Sequence, residues 1–505
     1  MIQIKKMLSG GLATISVVLA GLTMAPTAYA QNAQAAFNAY NSAYLVQSDG
    51  KAYYADTLTT QATNPDWEWA QAVDIYVAED AYEYTRNATD RALVIALLDN
   101  LESKWSDWQT DGWDDNLAWM AVAFMRGYKL TGHADYLTQA EAGFNTAWSK
   151  GWTTNLGGGI LEKQDGTTKC ALSNNPFIIE GVDLYQATGD SSYLTKAEQI
   201  YDWVRTHLYV LSTGQENGCE NGDGSLQVSN EVYNSGTFVE AANALYRITG
   251  NQTYYNEAYN ATNHIVNADP IISSTNNSKN NEWQYWFTRG LSHFATDNNL
   301  WPTYQTWLQN NANAAWNERN NLNLTWNTWT QKTPSTSYDA NVTASAAAIG
   351  FHLPPPALDL SGTWEIDSAK TGLAVTILDG SDATKAAVVE EPSTGGPHQY
   401  WTFKATSGGY YQIINNASGL AMNVTGSNAQ NAKSGALIIQ YTPQVVNPGN
   451  DQWLPIKNSD GTYSFYSLNS LQALEVPGGS PGVGTQLDQW FGNGSSNQSF
   501  KLIAH

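Results

Sequence analysis

A chain of 505 residues exceeds one compact core and implies two or three domains, which rules out a single small module. Its 24 basic and 46 acidic residues give a net charge of −22 while only 14% of positions are charged; this excludes a nucleic-acid partner, which needs clustered Lys and Arg, and a polyanionic sugar, which a negative field repels. Neutral polar ligands remain, and 20 Trp and 28 Tyr suit them, because aromatic faces stack on sugar C–H groups, although most such rings must fill core.

Residues 1–30 read as a signal peptide. Lys5 and Lys6 make a basic start, residues 12–24 are mostly apolar, and Ala28-Tyr29-Ala30 is a small-x-small cleavage site. The apolar run is too short and wrongly flanked for a membrane span. The expectation is an exported, extracellular monomer that begins near Gln31, with no membrane span and no lipid-anchor tail at 498–505.

From 31 to 352 the apolar spacing is helical and it repeats. The runs 119–132, 177–189 and 238–250 each end in Thr-Gly, and each is followed by Asp or Asn, a Tyr and a second amphipathic stretch. Glycine is the residue expected just past a helix end, where φ is positive. The threonines are 57 and 61 residues apart, which fits a hairpin of two helices and a loop. Further helical stretches are predicted at 67–86, 90–105, 283–295, 301–316 and 339–351, so the domain holds about six hairpins. Six can close into a toroid whose inner ends ring a cleft; an open solenoid is the competing architecture.

Within this domain, Gly112-Trp113-Asp114-Asp115-Asn116 places two carboxylates where an apolar helix begins. Glycoside hydrolysis needs one carboxylate as nucleophile or base and a second, protonated, as acid, and like charges held close raise one pKa. The plainer reading is that the acidic pair caps the helix. Cys170 and Cys219 are the only cysteines, and in an exported chain they are a possible disulfide. No HExxH or CxxC is present, and residues 220–224 lack the full EF-hand pattern, so no cofactor or metal is expected.

Residues 353–360, with Pro354-Pro355-Pro356, read as a stiff linker. After it, from 361 to 505, short alternating runs repeat. Three openings (364–366, 411–413, 463–465) and three closings (399–401, 451–453, 498–500) set a period of about 50 residues, which suggests threefold β closure without free sheet edges.

The Asp pair and the blocks around it resemble glycoside hydrolase family 76, the endo-α-1,6-mannanases. Those blocks are Trp152 with Gly157-Gly158-Gly159-Ile160-Leu161, Lys169 with Leu172-Ser173-Asn174, Val232 to Gly236, and Trp286 to Leu291. The resemblance spans most of 35–350 and implies an (α/α)6 barrel that cleaves α-mannan, with Asp114 as nucleophile and Asp115 as acid/base of a retaining double displacement. It departs from the family pattern at Leu161-Glu162, where an aromatic is frequent, and at Cys170-Ala171. Trp67 and Trp113 are candidate stacking platforms, against burial; Asn174 is a candidate contact. Tyr233 and Asn234 either touch sugar or pack beneath the site, and Arg289 either holds a carboxylate or sugar hydroxyl or pairs structurally.

The C-terminal repeats resemble the ricin-B-type lectin β-trefoil with its Gln-x-Trp signature, Phe500 replacing the third Trp. The resemblance implies sugar contacts from Glu475, Gln489, Trp490 and Asn497 in the third repeat and from Asn423 and Gln440, beside Tyr441, in the second. The first repeat, with Val375 and Glu390-Glu391, is the weakest; in every repeat the alternative is that these residues build the core. The whole then reads as an exported α-mannan hydrolase with a carbohydrate-binding domain; a mannosyl transglycosylase and a non-catalytic glycan-binding protein are the alternatives.

Overall fold

The computed structural model describes residues 26–274, 283–336, 338–426, 429–444, 449–479 and 482–505. Most of the expected leader, 1–25, lies outside the described residues, and the expected cleavage site falls within the first helix.

Twelve α-helices are described: α1 (Pro26–Tyr44), α2 (Glu68–Thr85), α3 (Ala88–Lys104), α4 (Asp114–Thr131), α5 (Ala134–Lys150), α6 (Asn175–Thr188), α7 (Ser191–His207), α8 (Val232–Thr249), α9 (Gln252–Ala268), α10 (Gln284–Asp297), α11 (Trp301–Asn317) and α12 (Ala340–Ala348). The even-numbered helices pack in the order α2-α4-α6-α8-α10-α12 and back onto α2, which closes a ring; each carries an odd-numbered helix outside it. The fold is an (α/α)6 barrel. Its sixth hairpin is discontinuous in sequence, because α12 pairs with α1. Ala33, Phe37, Tyr40 and Tyr44 form the buried stripe of α1 that makes this possible, with Phe37 edge-on to Phe351 at 5.8 Å.

The Thr-Gly stops work by two bonds. Gly132, Gly189 and Gly250 have φ of 79°, 80° and 69°, and their amides donate to carbonyls of the last helical turn. The preceding Thr131, Thr188 and Thr249 hydroxyls donate to the carbonyls of Gly127, Leu184 and Leu245.

The barrel axis is filled by aromatics. Trp286 lies 5.1 Å from Tyr76 and 5.3 Å from Trp119, and the Tyr76 hydroxyl donates to the Trp119 carbonyl at 2.6 Å. Toward the C-terminal ends of the inner helices the axis turns ionic: Arg126 reaches Glu79 at 3.0 Å, Asp80 at 2.6 Å and Glu83 at 3.2 Å, and His352 meets Asp80 at 3.0 Å.

From Trp364 to Ala504 the chain is all-β. The first strand, Trp364–Ser368, pairs antiparallel with the last, Phe500–Ala504, so the sheet closes on itself. Trp401, Trp453 and Phe500 are fully buried at matching places. The first two indoles donate to the carbonyls of Val375 and Met422, at 2.9 and 3.0 Å; Phe500 keeps the volume and gives up that bond.

This β domain sits on the end of the barrel where the inner helices finish. Phe491 packs 5.4 Å from Tyr128 and so close to Gly132 that a Cβ there would meet the ring at 2.4 Å. Arg91 Nε donates to the Gly492 carbonyl at 2.9 Å, and Arg86 lies 4.9 Å above the Tyr466 ring. The proline segment does not span a gap: Leu353 and Leu360 on either side of it are buried, and Pro355 packs on Gly409.

Candidate active site

At the opposite end, where the inner helices begin, Asp114 and Asp115 occupy the first turn of α4. The cap position is Trp113, whose side chain makes no capping bond, so the simple capping reading lacks its main feature. A returning loop fixes the pair. Gly157, Gly158 and Gly159 have φ of 82°, 139° and 85°, and a Cβ on Gly159 would lie 2.5 Å from Trp203. This turn lets the chain come back, bridge Trp152 to Ile160 and Trp113 to Lys163, and accept the Asp114 amide on the Glu162 carbonyl at 2.9 Å.

Asp114 is fully buried; its Oδ1 accepts from Gln164 Nε2 at 2.9 Å, and its Oδ2 has no partner. Burial lifts its carboxyl to about 7 against the Gln164 bond, which pulls the other way. Asp115 is half-buried with Oδ1 unpartnered; burial, then the charge of Glu162, lift it to about 7 as well. A helix N-terminus favours ionised carboxylates, so desolvation here outweighs the dipole. Near neutrality the pair can offer one charge for attack and one proton for donation.

Trp67 (65% exposed) and Trp113 (42%) precede α2 and α4 on the same rim, which suits stacking; Lys163 covers one face of Trp113 with Nζ 5.4 Å from the ring. Tyr233 stands half-buried in the first turn of α8, its ring 5.4 Å from Trp283 and its phenol raised by burial and then by the charges of Glu231, Asp115 and Glu162. Three other candidates are buried. Asn174 is fully buried, and its carboxamide is consumed by the backbone of Ile160 and Cys170. Asn234 is 1% exposed; its backbone carbonyl accepts from Asn175, its side-chain amide donates to Glu231 at 3.4 Å, and its Oδ1 is unpartnered. Arg289 pairs with Glu240 at 3.0 Å and lies 4.6 Å above Trp286 inside the barrel, the structural alternative. Cys170 and Cys219 face each other in adjacent short strands and form a disulfide, which ties the Asn174 segment to the 208–231 loop.

Glu162, singled out in the sequence only as a departure from the family pattern, adjoins the pair; neither Gln164 nor Trp283, which packs with Trp69 (5.9 Å), Trp119 (5.5 Å) and Tyr233, stood out in the sequence as a site residue. Their signal was only proximity to the glycine turn and to a helix start.

In the β domain the third repeat keeps a polar cluster, shifted by one residue. Gln489 is fully buried with its amide spent on the carbonyls of Asn431 and Lys433, and Gln440 likewise ties to Ser381 and Ala383. Both amides tie one repeat to another. Strand alternation puts Asp488 on the face of the 44% exposed Trp490. Asp488 is opposite Glu475, whose Oε2 accepts from Gln498 (2.8 Å) and Asn497 (3.3 Å). Burial and then Glu475 lift Asp488 to about 7. In the second repeat Asn423 is buried and accepts from Asn450, and the residue opposite it is Ile439.

Residues 64–352 match the sequence profile of Glycosyl hydrolase family 76. The chain belongs to that family. The family-76 domain is followed by matches at 357–441 and 409–490 to the ricin-type β-trefoil lectin domain-like profile. Among curated proteins, the mannan endo-1,6-alpha-mannosidase DCW1 of Eremothecium gossypii is 26% identical over 214 residues, 37% of this chain and 47% of that protein. The chain thus spans about half the length of the curated relative it matches. Among solved structures, the GH76A α-1,6-mannanase of Salegentibacter sp. HEL1_6 superposes with a TM-score of 0.55 at 22% identity, over 64% of this chain and 98% of that one. The Lin0763 protein of Listeria innocua gives 0.57 at 21%, over 64% and 96%. At these identities the likeness is one of fold.

Proposed function

We propose that the chain is an exported, retaining endo-α-1,6-mannanase whose trefoil domain binds carbohydrate. The observation that carries this is the pair of adjacent carboxyls, both lifted to about 7, at the mouth of a family-76 barrel. Names of the relatives support the substrate: one is a mannan endo-1,6-alpha-mannosidase, and a Salegentibacter α-1,6-mannanase variant with two successive aspartates replaced by alanine is described as inactive and in complex with α-1,6-mannotetrose.

The division of labour is the one the family resemblance implies; both carboxyls stand at about 7, and the neighbours support that order. Gln164 donates to Asp114 and favours its ionised form, which suits the nucleophile that attacks the anomeric carbon. Glu162 disfavours charge on Asp115, which suits the acid that protonates the departing oxygen and then, as base, activates water against the mannosyl-enzyme ester. Trp67 and Trp113 offer stacking faces, and the Glu475–Asp488–Trp490 cluster is the sugar site of the trefoil. Incubation with linear α-1,6-mannan should release reducing ends that NMR reads first as the α-anomer. Binding without release would leave a glycan-binding protein, and longer products without release would leave a transglycosylase.

A further inference from the structure

The backbone of Glu162 is bonded to the first turn of the helix that bears Asp115. Asp115 is held by the first turn of α4, with its Oδ1 buried and unpartnered. Glu162 is fixed at both ends of its peptide unit: its amide donates to the Thr168 carbonyl at 2.9 Å, and its carbonyl accepts from Asp114 at 2.9 Å. The bridge between Trp113 and Lys163 locks the same register, and the Tyr233 phenol on α8 feels both carboxylates.

We propose that Glu162, clamped to the first turn of α4 by the loop that returns from the glycine turn, is the positioning residue that keeps Asp115 loaded with its proton between turnovers. This rests on Asp115 being the general acid. Glu162 is one of three carboxyls, with Asp111 and Asp114, whose charges oppose ionisation of Asp115. Asp111, on the loop before α4, acts on it more weakly and is already hydrogen-bonded to Asn116 at 2.7 Å. Asp114, the adjacent residue on the same helix, accepts from the neutral Gln164 amide and keeps its charge, so it and Asp115 oppose each other's ionisation; Lys150 at the end of α5 acts on Asp114. Lys163 is committed to Asp165 at 3.1 Å and lies over Trp113, and Tyr233 with Glu231 closes the α8 side. A half-buried carboxylate beside an acid raises the cost of ionising it, so the acid stays protonated to higher pH.

The test is the pH profile of kcat/KM on α-1,6-mannan for the wild type, Glu162→Gln and Glu162→Asp. For Glu162→Gln the alkaline limb should move down by about one pH unit, with the acid limb in place, and Glu162→Asp should recover part of the range. The deficit at alkaline pH should vanish on a dinitrophenyl α-1,6-mannooligosaccharide, whose leaving group needs no proton. An unmoved alkaline limb in a folded Glu162→Gln protein overturns the proposal; a uniform loss across pH, equal on both substrates, overturns it too and assigns Glu162 to sugar binding. Should Glu162→Gln not fold, Glu162→Ser gives the same reading. Inactivity of the wild type on the mannan would instead remove the mannanase reading on which it rests.

Discussion

The backbone amide of Asp114 donates to the carbonyl of Glu162 across 2.9 Å, and this one bond joins the helix that bears the acidic pair to the loop that carries Glu162 and Gln164. The site is therefore made by two segments nearly 50 residues apart that meet only because three glycines turn the loop back.

Asp114→Ala and Asp115→Ala should each lower kcat on α-1,6-mannan by roughly 10²- to 10⁴-fold or more. With a dinitrophenyl leaving group Asp115→Ala should recover its first step and accumulate the mannosyl-enzyme, visible by mass spectrometry, whereas Asp114→Ala should form none. Near-normal turnover by either variant would refute the pairing.

Gln164→Ala removes the donor that favours ionised Asp114. The nucleophile's pKa should rise, so the acid limb of kcat/KM should move to higher pH by about one unit, opposite in direction and limb to the Glu162 effect. Profiles with both limbs resolved check this.

The pair should also be costly to stability. Both carboxyls are raised to about 7 in the folded protein, so the folded state binds more protons than the unfolded one between about pH 4 and 7, and stability falls across that window as pH rises. A carboxyl lifted this far costs on the order of 2–4 kcal/mol at alkaline pH. Asp114→Asn/Asp115→Asn should then melt higher than the wild type at pH 8, with the gap closing toward pH 4. Calorimetry at the two pH values decides it; a gap that ignores pH would contradict the burial argument.

Trp490→Ala and Asp488→Asn should abolish carbohydrate retention by the trefoil while hydrolysis of soluble oligosaccharides is unchanged. Gln489→Ala, by contrast, removes a buried tie to Asn431 and Lys433 and should lower the trefoil's melting temperature by an amount equivalent to about 1–3 kcal/mol. Affinity electrophoresis and thermal melts separate the two effects.

The Cys170–Cys219 bridge closes a separation of 49 residues, for which chain entropy gives roughly 4 kcal/mol. Cys170→Ala/Cys219→Ala should melt lower, and because the bridge anchors the Asn174 segment beneath the glycine turn, KM should rise as well. Melting curves and Michaelis profiles of the double variant check both.

Helical spacing and Thr-Gly stops carried most of the barrel in plain view, since each stop has a local cause in a threonine hydroxyl and a left-handed glycine. What spacing could not show was that the sixth hairpin is built from the first and last helices, because α1 has no Thr-Gly neighbour and its partner lies about 300 residues away. At the site, residue type singled out Asp114 and Asp115, but it could not tell an asparagine open to the cleft from a buried one: the Asn174 carboxamide is spent on backbone, and Asn234 is buried with its amide 3.4 Å from Glu231. In the trefoil the sequence did not disclose strand face: Gln440 and Gln489 sit beside aromatics in sequence, yet both are fully buried, and alternation puts the buried Asp488 on the same face as the exposed Trp490.

The trefoil caps the end of the barrel opposite the Asp pair, and the 18 residues of α4 alone put about 27 Å between those ends. If the proposed roles hold, a glycan held at Trp490 is not the stretch being cut: the cleft faces away from the mooring point, and a dense mannan layer should be hydrolysed faster, relative to a Trp490→Ala variant, than isolated chains in solution.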